Sequence, residues 1–125
     1  MKKMTMASLL VNVVVLIPVC VGLLVDASWV GDVYGTVSAA RGILLSVYSA
    51  ILVVSLGLLF TREPMLVAPL LLVQVLYKLT TPFTVGSFVN PVVISNLVIA
   101  ALHLTTLGVI LSARRRSAAR SDATG

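Results

Sequence analysis

Four long runs of apolar residues, separated by short polar stretches, organise the chain. Residues 4–25 carry no charge. At about 1.5 Å per residue, a helix of that length crosses a hydrocarbon core of about 30 Å. The same pattern predicts helices at about 37–60, 64–81 and 91–112. Lys2 and Lys3 could open a signal peptide, but the apolar run exceeds the usual length of about 7–15 residues and no clear small-x-small cleavage site follows. The sequence therefore favours a retained transmembrane helix, kinked at Pro18.

The segments between the runs read as turns. Residues 26–36 combine Asp26, Asp32, two glycines, Trp29 and Tyr34, the mixture expected of a loop at a membrane surface. Thr61-Arg62-Glu63-Pro64 makes a tight turn that places a proline in the first turn of the third helix. Pro82 is expected to stop that helix, leaving 82–90 as a second surface loop with Phe83 and Phe88. Asn90-Pro91 is a strong helix start, and residues 113–125 read as a disordered basic tail. The expected architecture is all-α: an integral membrane four-helix bundle over residues 1–112, followed by that tail.

Composition sharpens this picture. The chain has 125 residues, 59% apolar and 10% charged, with a mean hydropathy of +1.14. Soluble domains carry about 25% charged residues, so a water-soluble globule, a disordered chain and a disulfide scaffold are excluded as descriptions of the sequence. Cys20 is the single cysteine and has no partner within the chain. The net charge of +5 comes mostly from the tail, where Arg114, Arg115, Arg116 and Arg120 lie within the last twelve positions; nucleic acid is not an expected partner. Placing both termini in the cytoplasm puts Lys2, Lys3, Arg62 and the four tail arginines inside, against Arg41 and Lys78 outside. The expected location is the cell membrane, crossed several times.

Polar residues within the spans are the informative positions, because they are costly in lipid and turn toward the bundle interior. Arg41, about one turn inside the second helix, reads as an anion or head-group ligand, or as a side chain that snorkels or pairs with Asp26 or Asp32. Gln74, Tyr77, Lys78 and Thr81 share one face of the third helix, where they line an outward-facing cavity or only hydrogen-bond neighbouring helices. Asn96 and His103 project from one side of the fourth helix. A midplane histidine can relay protons or hold a metal or haem, but haem generally wants a second axial ligand and His103 is the single histidine. A neutral His103 hydrogen-bonded to a carbonyl or hydroxyl is the favoured reading, and no metal or other cofactor is expected. Tyr48 completes the candidate ligand-binding set. Thr5, Ser8 and Asn12 share a face of the first helix and read as helix-to-helix glue.

On the second helix Ser38, Gly42, Ser46 and Ala50 recur every four residues, forming a small-residue ridge that another helix, in this chain or another, can approach closely. No Asp or Glu lies within any span, which argues against proton-coupled small multidrug exporters. The glycine- and asparagine-rich signatures of small fluoride channels are missing too, as are HExxH, Gly-rich phosphate loops and Ser/His/Asp sets. No enzymatic activity is expected.

Ala39-Ala40-Arg41-Gly42 opening the second helix, the longer first outer loop, and the basic turn Thr61-Arg62-Glu63-Pro64 before the third helix together resemble the DoxX-like bacterial membrane proteins. The resemblance covers most of the chain and implies the four-helix plan. Some members of that group are linked to quinone-dependent oxidation, but no matching catalytic residues are present here. The leading expectation is a non-enzymatic accessory or interaction subunit, or a bundle that self-associates through the second helix. The alternative is a binder or carrier of an amphipathic anion or quinone-like molecule, held in an outward-facing cavity between the second, third and fourth helices.

Overall fold

The computed structural model describes residues 2–61 and 63–124 of the chain. It contains five helices and, among the described residues, no strand: α1 (Lys2–Val25), α2 (Ser28–Tyr34), α3 (Ala39–Thr61), α4 (Pro64–Val85) and α5 (Pro91–Thr124). Four of these, α1, α3, α4 and α5, are long and apolar enough to cross a membrane. α1 packs most extensively on α3, α4 on α5, and α1 joins the two pairs through α5. The start of α1 lies beside the later part of α5, where Thr106 meets the Met4 carbonyl, and α2 sits at the opposite end beside the start of α5.

The termini of these helices follow local chemistry. Glu63 caps α4 by accepting from the Met65 amide, and Pro64 occupies the first turn, where its missing N–H is no loss. Asn90 caps α5 by accepting from the Val92 amide at 2.9 Å, while its own amide donates to the Val33 carbonyl and ties the cap to α2. Arg62, within the predicted turn before α4, lies outside the described residues.

Three expectations need correction. Residues 26–36 are not an irregular loop, because Ser28–Tyr34 forms the short helix α2. Its apolar Trp29, Val30 and Val33 pack back onto the bundle, a burial the glycine and aspartate content obscured. The third predicted helix does not stop at Pro82. That proline costs α4 one backbone bond, and the helix continues to Gly86, whose left-handed φ of 76° lets its amide close on the Pro82 carbonyl. Finally, 113–124 is not a disordered tail, since α5 continues to Thr124 through alanines and arginines that are strong helix formers.

The distribution of polarity is inverted relative to a soluble protein. Val14, Leu24, Val53 and Phe60 are 67–86% exposed, whereas Ser8, Ser55, Gln74, His103 and Thr106 are at most 1% exposed. An apolar exterior of this extent around a polar interior, carried on four helices of spanning length, suggests a multi-pass membrane protein.

Candidate functional site

Two groups of polar side chains lie inside the bundle, one near α2 and one nearer the chain termini. The first is organised by Lys78 on α4, which is 5% exposed. Its Nζ donates to Asn96 Oδ1 on α5 at 3.0 Å, and Asn96 Nδ2 in turn donates to Thr81 Oγ1 at 3.4 Å. The ammonium also lies 4.9 Å from the centre of the Tyr77 ring. Among the described residues, no carboxylate pairs with it.

Lys78 and Asn96 open onto a cavity of about 190 Å³, whose apolar wall includes Leu16, Val19 and Trp29. A neighbouring cavity of about 470 Å³ shares Val33, Tyr34, Tyr48, Val92 and Asn96 with the first and adds Tyr77, Thr81 and Thr84. Tyr34 and Tyr48 meet edge to face with centroids 6.2 Å apart, bracing α2 against α3. Burial, followed by the nearby Tyr48, holds the Tyr34 hydroxyl above the usual tyrosine range, so it stays protonated and able to donate. The Tyr77 hydroxyl is buried without a hydrogen-bond partner among the described residues, as is Gln74 Nε2 one turn deeper.

The second group centres on His103, which is fully buried. Its Nε2 lies 3.0 Å from Asn12 Oδ1 and its Nδ1 3.1 Å from Ser8 Oγ, both on α1. Asn12 Nδ2 donates to Ser55 Oγ on α3 at 3.1 Å, and Ser8 Oγ meets Thr106 Oγ1 at 2.7 Å. Because the Asn12 amide nitrogen serves Ser55, its Oδ1 accepts, and the histidine hydrogen sits on Nε2. Nδ1 then accepts from Ser8. This network connects α1, α3 and α5 through the bundle interior.

The remaining candidates fall elsewhere. Arg41 does not reach either cavity: Nη2 bonds Asp26 Oδ1 at 2.6 Å and Nη1 donates to the Gly35 carbonyl at 3.0 Å, so it fastens the chain around α2 to the start of α3. Ser38, Gly42, Ser46 and Ala50 are all exposed, and a Cβ built at Gly42 would meet nothing within 4 Å. No helix of this chain packs on that ridge. α3 instead turns Tyr48, Ile51 and Ser55 inward. Thus Tyr48, Tyr77, Lys78 and Asn96 come together, Gln74 lies beneath them, and His103 belongs to the deeper network.

Set against protein families, curated proteins and solved structures, the chain matches none. The arrangement of its own residues therefore carries the functional argument. Three contributors were not identified from sequence. Trp29 and Tyr34 lie in a segment of surface-loop composition, and Ser55 stands alone in an apolar run. A polar residue every three to four positions on α1, Thr5, Ser8 and Asn12, is the signal for the deeper network, although the spacing by itself implies only contact between helices.

Proposed function

We propose that this chain is a membrane protein that binds an amphipathic anion at the α2 end of its bundle, with both termini in the cytoplasm of the cell whose membrane it crosses. The observation that carries this reading is the buried Lys78 ammonium, which faces a cavity with no carboxylate as counterion. A buried charge is costly unless it is paired, and a single amide oxygen supplies only part of that pairing. A carboxylate or phosphate head seated against Nζ, with the Tyr77 hydroxyl as a further donor, completes it. The apolar wall formed by Leu16, Val19 and Trp29 suits an acyl or isoprenoid tail.

The test uses Trp29, the one tryptophan in the chain, as a reporter on the cavity wall. Oleate added to the detergent-solubilised protein should change its emission saturably. Oleyl alcohol should do so at least tenfold more weakly, and Lys78→Gln should remove the difference. Equal responses to acid and alcohol would refute the anion and favour a neutral head such as a quinone-like ring. For orientation, cysteines at Ser28 and Ser87 in a Cys20→Ser background should react with impermeant thiol reagents on intact cells, and one at Ser121 only after permeabilisation.

A second reading, a bundle that self-associates or serves a partner subunit through α3, is favoured by the exposed ridge of Ser38, Gly42, Ser46 and Ala50. The two readings occupy different surfaces and are compatible.

A further inference from the structure

The two polar groups follow one another along α5, at Asn96 and then at His103 and Thr106, and form an interrupted column through the bundle. At the end holding the chain termini it starts in a cleft of about 90 Å³ lined by Lys2, Thr5, Met6 and Leu9. Thr106 follows, its hydroxyl within reach of the Met4 carbonyl at 3.3 Å, and then come Ser8, His103 and Asn12. At the α2 end stand Lys78, Asn96 and the larger cavities. One stretch between these groups is not bridged by direct hydrogen bonds, and Gln74 occupies it. α4 and α5 are antiparallel, so moving four residues along each from the Lys78–Asn96 bond places Gln74 level with Ala100, a fully buried small residue. His103 lies one turn further. By helix rise, the axial steps from Asn96 to that level and from that level to His103 are about 6 Å and about 4.5 Å, the scale on which ordered water links polar side chains. Gln74 Nε2, in a residue 1% exposed, has no acceptor among the described residues and is a donor available to hold such a water.

We propose that this column is a proton path through the bundle, linking the Thr5 cleft to the Lys78 cavity by way of His103 and water held at Gln74. The ring spans the gap between hydroxyls below and amides above, with Nδ1 facing Ser8 and Nε2 facing Asn12. Ser8 passes its hydroxyl proton to Nδ1 while accepting one from the Thr106 hydroxyl, which is replenished from the cleft. The resulting imidazolium swings its Nε2–H off Asn12 Oδ1 to a water at the Gln74 level and gives that water the proton, which passes on to the cavity. The ring is then neutral again, and rotation of the hydroxyls with exchange of the ring tautomer restores the starting arrangement. Atoms and charge balance at every step, and one proton enters for each that leaves. Among the described residues, the titratable or charged groups facing the column are Lys78 and Tyr77 from α4, Tyr48 from α3, Tyr34 from α2 and, at the cleft, Lys2 from α1; the other polar side chains that α1 gives the column are hydroxyls and an amide. The proposal rests on the chain spanning a membrane and is independent of the bound anion.

The experiment is proton flux into liposomes holding the full chain and an internal pH dye, with a potassium gradient and valinomycin as the driving force. Carbonate extraction establishes insertion first. Wild type should acidify the lumen at least tenfold faster than protein-free liposomes. His103→Gln, which keeps hydrogen-bonding groups but does not titrate, should lower the rate at least fivefold. Gln74→Leu should do the same while leaving thermal unfolding unchanged or raised, because it removes a donor that the chain leaves without an acceptor; a purely structural role predicts no change in flux. If His103→Gln fails to fold, Gln74→Leu decides the matter. Inserted wild type that leaks no faster than protein-free liposomes, or folded variants that conduct like wild type, would overturn the path. Failure of the wild type to resist carbonate extraction would overturn the membrane-spanning reading and the path with it.

Discussion

Lys78 Nζ and Asn96 Oδ1 meet at 3.0 Å across the α4–α5 interface, a cation held by a neutral amide where a carboxylate would be the stronger partner. Asn96→Asp changes one atom and supplies that carboxylate. The variant should unfold at a higher temperature than wild type and lose at least tenfold in oleate affinity, because the ammonium then has its counterion within the chain. Differential scanning fluorimetry and Trp29 titration read the two effects on one sample. Unchanged affinity would show that Lys78 does not hold the head group.

Arg41 predicts the opposite behaviour from Lys78. Its carboxylate partner Asp26 is 59% exposed, and a partly exposed pair of this kind is worth at most about 1 kcal/mol. Asp26→Asn keeps a residue that tolerates the left-handed φ of 53° at that position and removes only the charge. It should lower stability slightly, with the difference shrinking at high salt. Oleate binding should survive Arg41→Gln and fail in Lys78→Gln.

The His103 network should tolerate exchange better than truncation. His103→Leu takes the donor from Asn12 Oδ1 and the acceptor from the Ser8 hydroxyl, although Ser8 keeps Thr106 and the Asn12 nitrogen keeps Ser55, and a stranded buried polar atom costs about 1–3 kcal/mol. His103→Gln should recover part of that loss. Urea or thermal unfolding in detergent, compared across the two variants, checks the order.

Gly22 sets the position of Trp29. A Cβ at residue 22 would collide with the indole carbons Cζ2 and Cη2, so Gly22→Ala should push Trp29 off α1 and open the cavity wall. Emission from the single tryptophan should shift to the red, and oleate affinity should fall.

Bulk on the ridge tests self-association without threatening the fold. Gly42→Leu and Ala50→Leu place side chains on an exposed face, so the unfolding temperature of a single chain should hold, as in the Val53→Leu control. Any chemical cross-linking between copies should be lost in the first two variants alone.

Much of this fold was legible because apolar run length and N-cap chemistry are local. The runs at 4–25 and 37–60, the proline that opens α4 and the cap at Asn90 needed no tertiary information, whereas Glu63 was legible only as part of a turn. Where the reading failed, a tertiary or cooperative effect outweighed a local signal. Pro82 breaks one hydrogen bond but does not end a helix that Gly86 can close four residues later. Ser28–Tyr34 has loop composition, yet it becomes helical when Trp29 and Tyr34 find Gly22 and Tyr48 to pack on. For the candidate site, the shared face of Tyr77 and Lys78 was visible as helical spacing. The pairing of Lys78 with Asn96 was not, because helix rotation between α4 and α5 is set by packing. The ridge on α3 showed that close approach was feasible, while the side of the bundle it faced depended on which residues the other helices buried.

The length of α5 also fixes where everything else sits. Its 34 residues extend about 51 Å, roughly 20 Å more than a hydrocarbon core requires, and the surplus bears Arg114, Arg115 and Arg116 at successive steps of about 100° around the axis. A rod ringed by guanidinium groups cannot slide lengthwise into lipid. If the bundle spans a bilayer as proposed, α5 would act as a depth stop that holds His103 and Asn96 at constant height, so that the layers of the proposed column would stay in register even where single side chains move.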